Sequence, residues 1–307
     1  MKQRIKQDSR IQMSSGVMLK KYIIYFLVVH FVFSTPRMIA KPLIEVDRTV
    51  FISDQAALDR SENGVDIVNM SRPSNAGVSK NTFRHYNVSD KGVILNNSLR
   101  RGASVLLGDE MMYKNPYYEN QSASLVLFEV SGLNQSQLNG YTEMFGDPAE
   151  FILANPNGIV VNGGGLINIP RATFTTGQTV FGGDGSLNYI DVDRGKVSVD
   201  QLGFDASTVD YFDIVSRMAE INGELQGGNN LKIQVGQNRF DYHSRGIHTN
   251  PNADLITPKA QWGIDGSVLG VIKAGQITLI GTEDGVGVKT AGRLVAIEDI
   301  VLTSAGD

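Results

Sequence analysis

The sequence contains no cysteine among its 307 residues. This absence excludes disulfide bonds, thiolate nucleophiles and zinc sites built on thiolates. Basic residues are not in excess, because 28 Lys and Arg stand against 32 Asp and Glu, giving a net charge of −4. Since proteins that bind nucleic acid usually carry a positive surface, we do not expect nucleic acid as a partner.

Histidine is also scarce, with four residues in the chain. His30 lies in an apolar run, and His85 lies in a strand-like stretch. His243 and His248 are five residues apart, with Arg245 between them. A metal site there would need a third ligand, so a solvated loop is the better interpretation. The sequence therefore predicts no bound metal and no cofactor.

Long apolar runs are missing after the first forty residues. Lys20 and Lys21 precede the apolar run Tyr22–Phe33, which has the length of a signal-peptide core and is short for a membrane span. We predict a signal peptide over residues 1–40, with Ala40 as a candidate last residue; a core strand or a membrane anchor is the alternative. Without a later apolar run, we expect no membrane span in the mature chain 41–307.

Short runs of alternating apolar and polar residues recur along the rest of the chain, at Tyr189–Asp193, Lys196–Asp200, Lys232–Val235 and Gln276–Ile280. Alternation has the period of a β-strand, and the runs are separated by glycine-rich and asparagine-rich turns. The sequence therefore predicts an all-β protein. A sandwich and a solenoid are both compatible with this pattern.

The C-terminal third favours the solenoid. The segments Lys273–Gly281, Thr290–Glu298 and Glu298–Gly306 each join a turn to an apolar strand, at separations near one coil of a parallel β-helix. One segment resists the β interpretation. Ser207–Ile221 has apolar residues at helical spacing and a serine that could cap a helix, although its aromatic and β-branched residues favour a strand. Both alternatives stay open from the sequence.

The stretch Ala154–Gly165, with the sequence ANPNGIVVNGGG, holds the densest turn chemistry in the chain. It is not a phosphate-binding loop, because Gly163 to Gly165 are not followed by Lys-Ser/Thr at the start of a helix. Asn155, Pro156 and Gly158 instead occupy the favoured first, second and fourth positions of a type I turn. The Asn155 side chain can also bond the backbone two residues on. We therefore predict a corner.

No set of residues predicts an active site. Asp191 and Asp193 are two apart and would share a strand face, where paired carboxylates can bind calcium or act in acid–base catalysis. A solvated polar face explains them equally, and no Gly-x-Ser-x-Gly elbow is present. We therefore predict that the chain is not an enzyme, with a polysaccharide-cleaving β-helix as the catalytic alternative.

Several stretches in order along the chain resemble one known family. They are Gly64–Val88, Lys91–Ser98, Val126–Gly177, Ile214–Leu225 and Leu279–Val288. Together they look like the N-terminal two-partner secretion (TPS) domain of filamentous haemagglutinin, haemolysin and contact-dependent-inhibition exoproteins. The resemblance runs from about Leu43 to the end of the chain, so the domain would occupy residues 41–307.

The resemblance implies a fold, a route and a partner. The fold would be a right-handed parallel β-helix with an N-terminal β cap and extra-helical β elements. The Sec machinery would deliver the chain to the periplasm, where the POTRA domains of an outer-membrane Omp85-type transporter would recognise it and start its export to the cell surface. A monomer is expected. The alternative function is an adhesin domain that binds host cells directly, for which Tyr113, Tyr117 and Tyr118 form the one aromatic cluster.

Two family motifs can be compared with this chain residue by residue. The Asn-Pro-Asn-Gly-Ile motif is intact at Asn155, Pro156, Asn157, Gly158 and Ile159. The upstream Asn-Pro-Asn-Leu motif is partial: Asn115 and Pro116 are followed by two tyrosines. The intact motif would serve secretion by shaping the fold, by contacting the transporter, or both; its turn chemistry favours shaping. Since family members usually continue into a passenger, we also expect this chain to be an N-terminal fragment of a longer exoprotein.

Overall fold

The computed structural model describes residues 43–251, 253 and 259–306, and the predicted signal peptide lies outside these residues. The described chain is built from strands in long parallel sheets. Sheet 1 contains, in spatial order, β1 (Ile44–Val46), β4 (Val78–Tyr86), β8 (Leu125–Val130), β11 (Glu150–Ala154), β14 (Arg171–Thr175), β19 (Tyr211–Ser216), β22 (Asn230–Val235), β27 (Gln276–Gly281) and β30 (Ile300–Ser304). Each strand from β4 onward is parallel to the next.

Two further stacks complete the coils: sheet 2, and sheet 3, which is divided into an N-terminal part, sheet 3N, and a C-terminal part, sheet 3C. Sheet 2 contains β9 (Ser136–Leu138), β12 (Ile159–Val161), β17 (Lys196–Val199), β20 (Met218–Ile221), β25 (Trp262–Gly266) and β28 (Gly287–Thr290). Sheet 3N contains β2 (Ala57–Arg60), β3 (Asp66–Asn69), β5 (Val93–Asn97), β10 (Thr142–Gly146) and β13 (Leu166–Ile167). Sheet 3C contains β18 (Phe204–Ala206), β21 (Glu224–Gly227), β26 (Val271–Ala274) and β29 (Arg293–Ala296).

The chain passes from sheet 1 to sheet 2 to sheet 3 and back, which is the path of a parallel β-helix. Tyr211 on β19 pairs with Asn230 on β22 one coil later, so an uninterrupted coil takes about 20 residues. The predicted solenoid is confirmed. The predicted cap is present as well: β1 runs antiparallel to β4, β2 runs antiparallel to β3, and a short 3₁₀ helix, Ile52–Asp54, lies between β1 and β2.

Two antiparallel elements lie outside the coils. The outer sheet contains β15 (Gln178–Phe181), β16 (Leu187–Val192), β23 (Asn238–Asp241) and β24 (Ile247–His248). The outer hairpin contains β6 (Gly102–Ser104) and β7 (Glu110–Met112). Each element covers an apolar layer on the outside of a parallel sheet, because alternating strand residues point in opposite directions and some of the outward ones are apolar.

The interior of the coils is filled by side chains that stack from one coil to the next. The rings of Phe83 and Phe128 have centroids 4.8 Å apart, and those of Phe128 and Phe151 are 5.3 Å apart and nearly perpendicular. Phe174 and Phe212 form a second pair, with centroids 5.2 Å apart. All five rings are buried. Aromatic pairs at these separations add to the stabilisation that burial provides.

The structure settles the segment Ser207–Ile221 in favour of strands. β19 and β20 run through it, with Phe212 and Ile214 buried in the coil interior. The helical spacing of its apolar residues arises because both faces of β19 are buried, one in the coil interior and one under the outer sheet. A strand buried on both faces loses clean alternation, and its period becomes ambiguous.

The spacing of the three similar C-terminal segments predicts one segment per coil, and this prediction is wrong. β27 and β30 are neighbours in sheet 1, where Ile277 pairs with Ile300. β29 belongs to sheet 3C of the coil between them. The segments resemble one another because each is a turn followed by a strand with an inward apolar face, whichever sheet it joins.

Candidate functional site: the Asn-Pro corners

The Asn155 corner joins β11 in sheet 1 to β12 in sheet 2. The backbone N–H of Gly158 donates to the Asn155 carbonyl oxygen at 2.9 Å, which closes a four-residue turn. The N–H of Asn157 donates to Asn155 Oδ1 at 3.0 Å, as predicted for an asparagine at the first position. The predicted corner is thus confirmed in its hydrogen bonding.

The Asn155 side chain faces inward and is fully buried. Its Nδ2 donates to the Asn134 carbonyl oxygen and to Ser136 Oγ, each at 3.0 Å, on the corner of the preceding coil. Its backbone N–H donates to the Thr175 carbonyl oxygen on the following coil at 2.9 Å. Asn155 therefore joins three successive coils, and in the folded chain a partner surface cannot reach its amide.

The rest of the motif is wedged between neighbouring corners. Asn157 Nδ2 donates to the Gly132 carbonyl oxygen of the preceding coil at 2.7 Å. Gly158 has a φ of 116°, and a Cβ there would lie 2.8 Å from the Lys196 carbonyl oxygen of the following coil. Both the positive φ and the close approach require glycine. Ile159 is buried in the coil interior, and only Pro156 and Asn157 are half exposed.

The second half of the ANPNGIVVNGGG stretch is another corner, from sheet 2 to sheet 3N. Gly164 has a φ of 78°, and a Cβ there would lie 2.2 Å from the Gly140 carbonyl carbon of the preceding coil. The stretch is dense in turn residues because two corners lie on either side of β12, which has three residues.

The partial motif at Asn115 forms a similar corner, between sheet 3N and sheet 1. The N–H of Tyr118 donates to the Asn115 carbonyl oxygen at 3.2 Å, and the N–H of Tyr117 donates to Asn115 Oδ1 at 2.9 Å. The Asn115 side chain is also fully buried. Its Nδ2 donates to the carbonyl oxygens of Met70 at 2.9 Å and Asn96 at 2.8 Å. Asn115 and Pro116 therefore make this turn without the third and fourth residues of the family motif.

Sequence reasoning missed a third buried asparagine of the same kind. Asn97 Nδ2 donates to the carbonyl oxygens of Ala123 at 3.0 Å and Asp147 at 2.8 Å, and its Oδ1 accepts the Ala123 N–H at 2.9 Å. No proline or glycine follows Asn97, so its sequence carries no turn signal. Its position at the end of an apolar strand run was the one available indication.

Asp47 connects the N-terminal cap to the coils. Its carboxylate accepts the Ser131 hydroxyl at 2.5 Å and the Thr49 hydroxyl and N–H at 2.6 and 2.9 Å. These hydrogen bonds lower the pKa of Asp47 to about 2, and the bond from Ser131 has the largest effect. Ser131 precedes Gly132, which accepts the Asn157 amide. Asp47 thus lies at the end of the same column of corners as the Asn155 motif.

The other candidate residues from the sequence have structural surroundings. Asp191 accepts a bidentate pair of hydrogen bonds from Arg239, at 2.6 and 2.7 Å, while Asp193 follows the end of β16. His243 and His248 are exposed on the outer sheet and its turn. In residues 43–251, 253 and 259–306, three or more His, Asp or Glu side chains do not cluster as metal ligands would.

The tyrosine cluster is divided between interior and surface. Tyr118 is buried, whereas Tyr113 and Tyr117 are exposed, with the Arg101 guanidinium 5.3 Å from the Tyr113 ring centroid. Two exposed rings do not make a ladder of the kind that would support an adhesin. Among the described residues, no helix has the length and apolarity needed to cross a membrane.

Comparison with known proteins is consistent with this architecture. A family model described as the TPS secretion domain matches residues 44–307. The toxin CdiA of Yersinia pestis is 38% identical over 268 residues, covering 87% of this chain and 8% of the relative. The tRNA nuclease CdiA of Escherichia coli (strain STEC_O31) is 39% identical over 253 residues, covering 82% of this chain and 8% of the relative.

A solved structure gives the same result. The crystal structure of the filamentous haemagglutinin secretion domain superposes with a TM-score of 0.71 at 28% identity, covering 82% of this chain and 96% of that chain. The names toxin and nuclease belong to proteins of which this chain spans about a twelfth of the length. The resemblance inferred from the sequence is confirmed: the chain belongs to the family of TPS secretion domains, the secretion modules of large exoproteins.

Proposed function

We propose that this chain is recognised by the POTRA domains of a cognate Omp85-type outer-membrane transporter, which starts two-partner export of the exoprotein that carries it. In this proposal residues 1–40 engage the Sec machinery and the transporter meets the chain in the periplasm. The observation that carries the proposal is the match of residues 44–307 to the TPS secretion domain, since that range covers nearly all of the described residues.

The test is co-expression of the full chain with a candidate cognate Omp85-type transporter that carries POTRA domains. We expect the chain in the medium only when the transporter is present and its POTRA domains are intact. A transporter lacking POTRA domains, with normal membrane insertion, is the control. Equal release with and without POTRA domains would contradict the proposal.

We further propose that the Asn155–Ile159 motif acts by shaping the corner rather than by contacting the transporter. The burial of Asn155 supports this, because its amide is used up by hydrogen bonds inside the coil stack. Asn155→Ala should therefore lower both the melting temperature and secretion. Asn139→Ala, at an exposed asparagine in the corner that follows β9, is the control and should change neither. Lost secretion with unchanged melting in Asn155→Ala would contradict this account.

A further inference from the structure

The outer sheet is assembled from two insertions that leave different coils. The hairpin β15–β16 follows β14, and the pair β23–β24 follows β22. The insertions meet where β16 pairs with β23, with Tyr189 opposite Asp241. Sheet 1 strands β14, β19 and β22 are consecutive, so this pairing joins chain segments whose coils are two apart.

Its side chains reach still earlier coils. The Thr179 hydroxyl on β15 donates to the Glu129 carboxylate on β8. The Tyr242 hydroxyl, which follows β23, donates to Glu150 Oε2 on β11 at 2.5 Å, across 92 residues of sequence. In a simple solenoid each coil contacts only its neighbours, whereas β11 and β22 are three coils apart.

An apolar layer lies beneath these contacts. Leu127 on β8, Ile152 on β11 and Val215 on β19 face outward from the coils and pack in one cluster with Ile190 and Phe240 of the outer sheet. These five residues are at most 1% exposed. The outer sheet therefore shields outward apolar residues of coils from β8 to β19, and lifting it would expose them together.

A charged cluster fixes the far end of the sheet. Asp213 on β19 is fully buried and accepts Arg245 Nη2 at 2.6 Å and Nε at 3.0 Å. Arg171 on β14 donates to the Tyr242 carbonyl oxygen at 2.7 Å, and its guanidinium carbon lies 3.9 Å from the Tyr242 ring centroid. Burial raises the pKa of the Tyr242 phenol well above its usual value, which keeps its proton available to Glu150.

We propose that the outer sheet acts as a clasp. It assembles only when the chain has folded as far as Arg245, and once assembled it makes the coils from β8 to β22 unfold together as one unit. A stack without it would open from its ends, coil by coil. The clasp concerns the folded chain alone and does not depend on recognition by a transporter.

Hydrogen–deuterium exchange of the full chain tests the clasp. Arg245→Gln removes the hydrogen bonds from the guanidinium to Asp213 on β19. We nevertheless expect the backbone amides of β8 and β11 to exchange about tenfold faster or more. The free energy of hydrogen bonds to a charged group is large enough for a change of this size. Tyr242→Phe keeps the ring and removes the bond to Glu150 on β11. Because β11 is contacted directly in this variant, its remote readout is β8, where the same faster exchange is expected. Neither variant removes a residue of the coil interior, so both should fold.

The matched control is Lys273→Gln. It removes the ion pair between Lys273 and Glu224, 2.8 Å long, which joins neighbouring coils of sheet 3C away from the outer sheet. Exchange in β8 and β11 should not change. Two results together would overturn the clasp and leave a nearest-neighbour stack. They are faster exchange confined to residues 211–248 and the coils next to them in Arg245→Gln, and faster exchange confined to the outer sheet and β11 in Tyr242→Phe.

Discussion

The two Asn-Pro corners close the same turn in different surroundings. In both, a buried asparagine accepts the N–H two residues on and donates its amide to the backbone of a neighbouring segment. They differ at the fourth position. Gly158 is pressed against the following coil, whereas Tyr118 turns its ring into the interior. The asparagine and proline thus define the turn, and the neighbouring coil decides what may follow them.

The largest effect is expected at Gly158. Gly158→Ala combines a strained φ with a Cβ only 2.8 Å from the Lys196 carbonyl oxygen, and should lower the free energy of unfolding by about 3 to 4 kcal/mol. Gly64→Ala is the matched control, because Gly64 has a φ of 90° and open space at its Cβ. Denaturant titration of both variants separates backbone strain from the close approach. Equal losses would remove the neighbouring coil from the explanation.

The next effect tests whether the two corners are equivalent. Asn155→Ala removes two donated and two accepted hydrogen bonds, the longer accepted one at 3.3 Å from Asn157 Nδ2. Asn115→Ala removes two donated bonds and one accepted bond at an equally buried position. Each should cost about 2 to 3 kcal/mol in the free energy of unfolding. Denaturant titration of the two variants side by side measures this. A neutral Asn115→Ala beside a costly Asn155→Ala would break the comparison.

Acid should affect the Asn155 corner, whose column of corners ends at Asp47, more than the Asn115 corner. The pKa of Asp47 is about 2 in the folded chain, below its ordinary value of 3.8. Its contribution, about 2 kcal/mol, is therefore present above pH 3.8 and is lost as the pH falls toward 2. The difference in unfolding free energy between the wild type and Asp47→Asn should shrink over that range. Hydrogen exchange should rise at residues 131–138 but not at 113–118. An equal rise in both ranges would contradict an effect confined to the column that ends at Asp47.

The smallest effect is expected at Tyr117, the exposed third residue of the Asn115 corner. Tyr117→Asn restores the family residue there, and it should change the free energy of unfolding by no more than about 0.5 kcal/mol, because Tyr117 is 44% exposed and lies on the surface. Thermal melting is a sufficient measurement. A clear gain in stability would show that the third position contributes at this corner as Asn157 does at the other.

Turn chemistry was the part of the structure most accessible from the sequence. Asn155, Pro156 and Gly158 encode their corner locally, since a proline φ, an asparagine side chain and a positive φ are properties of single residues. The alternation in the strand runs was enough for an all-β solenoid. The buried amide of Asn155, by contrast, depends on Asn134 and Ser136, which lie about one coil earlier.

The clasp was inaccessible for the same reason, on a larger scale. Tyr242 and Glu150 are too far apart in the sequence for their contact to produce a periodic pattern. Asp191 is a candidate catalytic carboxylate from the sequence, whereas in the structure it is paired with Arg239. Asn97 carried no turn residue beside it. Contacts between distant segments follow from how the coils stack, which local propensity does not determine.

The glycine corner between sheets 2 and 3 has a practical consequence for anyone who wishes to add sequence to this domain. A Cβ at Gly140, Gly164, Gly223 or Gly292 would meet main-chain atoms of an adjoining coil at 2.2 Å or less. The two insertions that form the outer sheet avoid these corners, because they begin just after the sheet 1 strands β14 and β22. An epitope or a reporter peptide should therefore be grafted after sheet 1, at the tip of the β15–β16 hairpin near Gly183, where a side chain meets nothing within 4 Å.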